Sequence, residues 1–100
     1  MSDNFSISND ALEDILKFHQ YLIDENSLSI SEEFIEKLFS KFQLLADFPG
    51  IGRTRNEISQ DLLSFPDLKF NQCVFYKKSS NGILVIRMLG GRQDHVSILK

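Results

Sequence analysis

The stretch Ile35-Glu36-Lys37-Leu38-Phe39-Ser40-Lys41-Phe42-Gln43-Leu44-Leu45-Ala46-Asp47-Phe48-Pro49-Gly50-Ile51-Gly52-Arg53-Thr54-Arg55 decides the fold. In its first half, Ile35, Leu38, Phe39, Phe42, Leu45 and Ala46 recur at the spacing of one helix face. Pro49 then pushes Phe48 out of helical geometry, so the helix ends there. Past Gly52 the hydrophobic period changes from 3.6 to 2, the period of a strand. A chain that changes period once, from helices to strands, reads as an α+β domain.

Working back towards the start, residues 9–25 read as a second helix. Leu12, Ile15, Leu16, His19, Leu22 and Ile23 form a continuous stripe, which places His19 inward. Ser8 or Asn9 can cap the first free amides, and Asp10, Glu13 and Asp14 suit the positive end of the helix dipole. Asn26-Ser27 breaks the helix. The next is expected over residues 30–47, with Ser29 and Glu32 as a capping box. A break this short predicts an antiparallel helical hairpin with both stripes on one core. Phe5-Ser6-Ile7 alternates and suits a short first strand.

Beyond the hairpin, Leu62-Leu63-Ser64-Phe65 reads as a short strand ended by Pro66, and residues 70–77 as a second. Ser79-Ser80-Asn81-Gly82 is a turn, with Asn81-Gly82 the strongest turn signal in the chain. Ile83 to Leu89 is nearly all apolar, as a central strand covered on both faces, or on one by a partner, would be. Gly90-Gly91 interrupts it, and His95 to Leu99 suits a short edge strand or tail. The expected order is β-α-α-β-β-β: an N-terminal short strand, then an antiparallel helical hairpin packed on a C-terminal antiparallel sheet. At 100 residues and 11.5 kDa, residues 1–100 make a single domain.

Composition excludes several classes. With 42% hydrophobic residues, 25% charged residues and nine Phe, the chain is globular rather than disordered. No apolar run approaches the ~20 residues of a bilayer span, so no membrane association is expected. Met1-Ser2-Asp3-Asn4 lacks the character of a signal peptide, and a cytoplasmic location is expected. Cys73 is alone, which removes an internal disulfide and a cysteine-based zinc site. His19 and His95 have no metal-binding spacing, and Gly50-Ile51-Gly52-Arg53 is too short for a phosphate loop. No metal and no cofactor are expected.

The net charge of −3 conceals a division. Residues 1–47 hold ten acids against three lysines, a net of −7, whereas residues 48–100 hold eight bases against four acids, a net of +4. Such a split can mark two surfaces with different partners, or simply solvated helix faces beside a mildly basic sheet. The basic half supplies the candidate binding residues: Arg53, Arg55, Tyr76, Arg87, Arg92 and Asp94. Arg53 and Arg55 share a glycine-rich loop. Arg87 is the single charge in an apolar strand, which calls for a partner, and Asp94 is the nearest acid in sequence. A basic sheet carrying a Tyr would otherwise suit phosphates, an RNA backbone or an acidic protein.

After the helical hairpin, five motifs in order then resemble a known family: Leu44 to Ile58, Leu63-Ser64-Phe65-Pro66, Val74-Phe75-Tyr76-Lys77, Gly82 to Leu89 and Gly91-Arg92-Gln93-Asp94. Together they are similar to the RelE/ParE toxin superfamily, and to its ParE-like branch in particular, from about Phe5 to Leu99. The resemblance implies the toxin of a type II toxin–antitoxin module, neutralised by a cognate antitoxin, with possible higher-order toxin–antitoxin assembly. ParE-like members inhibit DNA gyrase by protein–protein contact, with no catalytic residues of their own. RelE-like members cleave messenger RNA on the ribosome with basic side chains and a late His or Tyr. Gly90 stands near that late position, Lys77 replaces the usual Arg, and the pI is about 5.2. An inactive antitoxin-binding homologue is the third reading.

Overall fold

The computed structural model describes residues 4–100. Nine elements follow in order: β1 (Phe5–Ile7), α1 (Asn9–Glu25), α2 (Leu28–Asp47), a single 3-10 turn (Pro49–Ile51), β2 (Arg53–Thr54), β3 (Leu63–Asp67), β4 (Gln72–Ser79), β5 (Gly82–Gly90) and α3 (His95–Leu99). The strands form one sheet in the order β1-β5-β4-β3-β2.

Ser8 starts α1 and fastens it to the sheet. Its hydroxyl oxygen accepts from the Ala11 amide at 3.0 Å and donates to the Ile86 carbonyl of β5 at 2.8 Å. Asn26 and Ser27 join the two helices, and Ser27 caps the second by accepting from the Ile30 amide. The expected Ser29–Glu32 capping box therefore falls inside α2, two residues too late. A serine two residues upstream takes the cap.

The expected helix stripes are rotated by about one residue. In α1 the buried positions are Ala11, Ile15 and Leu22, whereas Leu12 and Leu16 stand outside and His19 is only half-buried. In α2 the buried face is Ser31, Phe34, Leu38, Phe42, Leu45 and Ala46, and Phe39 is 42% exposed. Both helices carry apolar side chains over an arc wider than the sheet covers.

The C-terminal strands pair antiparallel as expected, and β1 joins them parallel to β5, which makes the whole sheet mixed. Gly82 opens β5 at φ +154, a region L side chains rarely adopt, and a Cβ there would collide with the Asn4 carbonyl. Pro66 does not end its strand as expected. It lies within β3 beyond the reach of β2, which pairs only with Leu63 and Ser64, so no ladder bond is lost on the free side. The segment expected as an edge strand at His95–Leu99 is α3, capped by Asp94.

Strand alternation sends neighbouring residues to opposite faces. Leu63, Val74 and Met88 join the main core under α1 and α2. Leu62, Phe75 and Leu89 join a smaller core with Ile58, covered in part by Leu99 of α3. Both faces of the central sheet are thus occupied.

Candidate partner-binding surface

The six basic, aromatic and acidic candidates do not converge on one constellation. Tyr76 is fully buried. Its hydroxyl donates to the Pro49 carbonyl at 2.8 Å and accepts from the Gly52 amide at 3.0 Å. Burial pushes its phenol pKa up. A Cβ on Gly52 would run into that hydroxyl, so glycine is required by close approach. Tyr76 is the peg that holds the 3-10 turn, which corrects its expected place on a contact surface.

Arg87 finds its partner in α1 rather than in Asp94. Its Nε and Nη2 donate to the two carboxylate oxygens of Asp14 at 2.7 and 2.8 Å. Asp14 Oδ2 also accepts from the Met88 amide at 3.1 Å, on a stretch of β5 that β1 does not reach. A bulge precedes the pair: Phe75 faces Arg87 and Tyr76 faces Val85, leaving Ile86 as the extra residue. Bulges re-aim side chains, and this one sits where Arg87 turns to the helix. The hydrogen bonds that Arg87 donates to the Asp14 carboxylate hold the guanidinium pKa above its ordinary value.

Asp94 instead caps α3, accepting from the Ser97 hydroxyl at 2.8 Å and the Ser97 amide at 3.2 Å. The ring of His95 is bound to the Gly90 carbonyl at 2.7 Å and packs edge-on against Phe75. Arg55 Nε donates to Glu57 at 2.8 Å, and its guanidinium lies over the Phe75 ring at 5.8 Å. Arg53 and Arg92 are exposed and form no ion pair among the described residues. Burial raises the Cys73 thiol pKa, which makes it a poor nucleophile. No three His, Cys, Asp or Glu among the described residues are placed to hold a metal.

Two features escaped the sequence reading. The first is a set of exposed apolar side chains, Leu12 and Leu16 on α1 and Phe39 on α2, left by the rotation of the helices. The second is a groove of about 630 Å³ where the end of the helical hairpin meets the β3–β4 turn and the end of β5. Phe18, Tyr21 and Phe70 wall it, with Lys69 and Arg92 among its lining residues. The signal available in sequence was the aromatic pair Phe18 and Tyr21, which share one flank of α1.

A helical hairpin laid on a five-stranded mixed sheet is the architecture of the RelE/ParE-like toxins. The fold is similar to a structure described as the chromosomal ParDE TA system from P. aeruginosa, with a TM-score of 0.74 over 88% of this chain and 95% of that one, at 8% identity. It is also similar to the isolated E. coli RelE toxin, with a TM-score of 0.56 over 97% and 93% of the two chains, at 13% identity. No curated protein sequence matches the chain. The family model for the ParE toxin of the type II toxin–antitoxin system parDE matches residues 5–95. The chain belongs to the ParE toxin family, and that family implies a cognate antitoxin. Among the described residues, no helix is long and apolar enough to cross a membrane.

Proposed function

We propose that the chain is a ParE-type toxin of the bacterial cytoplasm that inhibits DNA gyrase by protein–protein contact and is neutralised by its antitoxin. One observation favours this reading over ribonuclease action: Tyr76, Arg87 and His95, three of the groups that could move a proton or steady a phosphate, are already committed to the fold. Arg87 is clamped by Asp14, Tyr76 is buried under the 3-10 turn, and the His95 ring is bound to Gly90 and packed on Phe75. RNA cleavage without metal relies on a positioned acid and base, worth ~10²–10⁴ in rate. Contact with a protein target requires neither.

Exposed apolar side chains on an acidic hairpin, Leu12, Leu16 and Phe39 among them, offer the antitoxin a surface to fold upon. Expression of the chain in bacteria tests the reading. A DNA-damage response with translation intact supports gyrase as the target. Prompt translation arrest without DNA damage would favour the ribosome.

A further inference from the structure

The groove of about 630 Å³ does not stand alone. A second depression of about 360 Å³ shares Phe18, Tyr21, Gln72 and Gln93 with it, so the two form one trough along the flank of α1. An elongated trough suits a length of extended chain better than a compact ligand.

Its chemistry is uneven. Lys69, Arg92, Lys17 and Arg87 line it, against the single carboxylate of Asp14. Three of these cations already have partners: Lys69 bonds Glu33, Lys17 bonds Glu13, and Arg87 is held by Asp14. Arg92 has none among the described residues, and it stands exposed in a chain whose net charge is −3. The wall beside it is aromatic, with Phe18 stacked on Tyr21 at 5.7 Å and set edge-on to Phe70 at 6.3 Å. Asn26 and Asn71 also line the groove, and their side-chain amides make no hydrogen bond within the described residues.

We propose that this trough seats an extended acidic segment of the cognate antitoxin, with one apolar side chain against Tyr21 and Phe70 and a carboxylate on Arg92. The inference rests on the toxin–antitoxin reading above. A charge-assisted bond from an unpaired guanidinium beside an aromatic anchor is the usual composition of an energetically dominant contact. Asn26 and Asn71 are free to bond the backbone of the segment.

The test uses the full chain and the protein encoded by the adjoining reading frame, with affinity measured by calorimetry. Arg92→Glu should weaken binding by about tenfold or more, and Tyr21→Ala by several-fold, while Lys78→Glu outside the trough stays within about twofold. Neither groove residue is buried, so unchanged thermal unfolding will separate lost contact from lost fold. Wild-type affinity in both groove variants overturns the proposal and leaves the toxin reading standing. Lost toxicity with intact antitoxin binding in Arg92→Glu overturns it too, by giving the trough to the target. If the adjoining product does not bind the chain at all, the toxin–antitoxin reading falls and takes the trough with it.

Discussion

Asp14 and Arg87, 73 residues apart, form a two-pronged ion pair that fastens α1 to β5. The same carboxylate accepts the Met88 amide, so one side chain both neutralises a cation and closes the edge of a strand. Asp14→Ala leaves the guanidinium and the amide without partners at a site where the two side chains are 14% and 25% exposed. The expected loss is ~1.5–3 kcal/mol, below that of a fully buried pair because solvent reaches both groups. Urea unfolding measures it. A loss under ~0.5 kcal/mol would show the pair to be a surface contact only.

Tyr76→Phe removes only the hydroxyl that bridges Pro49 and Gly52. Two backbone groups lose their partner, for a cost of ~1–3 kcal/mol. Gly52→Ala should cost more, because it drives a methyl group into the tyrosine that Tyr76→Phe merely trims. If the alanine variant is the milder of the two in thermal unfolding, the peg does not hold the turn.

The rotation of the helix stripes is testable by a pair of truncations. Phe42 is fully buried and Phe39 is 42% exposed, although both belong to one apolar arc. Phe42→Ala should cost ~3–5 kcal/mol as a core truncation, and Phe39→Ala less than half of that. Equal losses would place both rings in the core.

That rotation also shows what a sequence can and cannot convey. Spacing defines an apolar arc, but it does not say which edge of a wide arc meets the sheet and which edge awaits a partner. The two helices, the helix end at Phe48-Pro49, the turn before Gly82 and the strands on either side of it were legible, because each is a local signal. Arg87 was legible as a residue in need of a partner. Its partner was not, since Asp14 is brought to it only by the packing of α1 on β5. The parallel pairing of β1 with β5 is likewise a long-range outcome. α3 was a missed local signal: Asp94 followed by Ser97 and apolar neighbours is a helix start. Of the partner-binding candidates, Arg53 and Arg92 are exposed without an ion pair among the described residues, while Tyr76, Arg87 and Asp94 hold the fold together.

Acid should loosen α3 before the rest of the fold. The Ser97 hydroxyl, and then its amide, hold the Asp94 carboxyl below the ordinary value of 3.8. A carboxylate with a depressed folded pKa contributes its stabilisation above the ordinary value, and that contribution is lost as pH falls through the lowered one. Carboxyl carbon NMR should find Asp94 titrating below 3.8, with the amides of Val96 to Lys100 shifting in step. Between pH 5 and 8 no change at this cap is expected. A midpoint above the ordinary value would contradict the capping account.

The central claim, that this fold acts by contact and not by proton transfer, is tested most directly on purified gyrase. Supercoiled plasmid, gyrase, ATP and the purified chain are incubated and the DNA products resolved on a gel. The account predicts loss of supercoiling activity with linear, protein-linked DNA accumulating as the chain is added. It also predicts that the cognate antitoxin abolishes the effect when present in excess. Gyrase that works unimpaired, while primer extension on messenger RNA from expressing cells shows discrete ribosomal A-site cuts lost in Arg87→Ala, would contradict it.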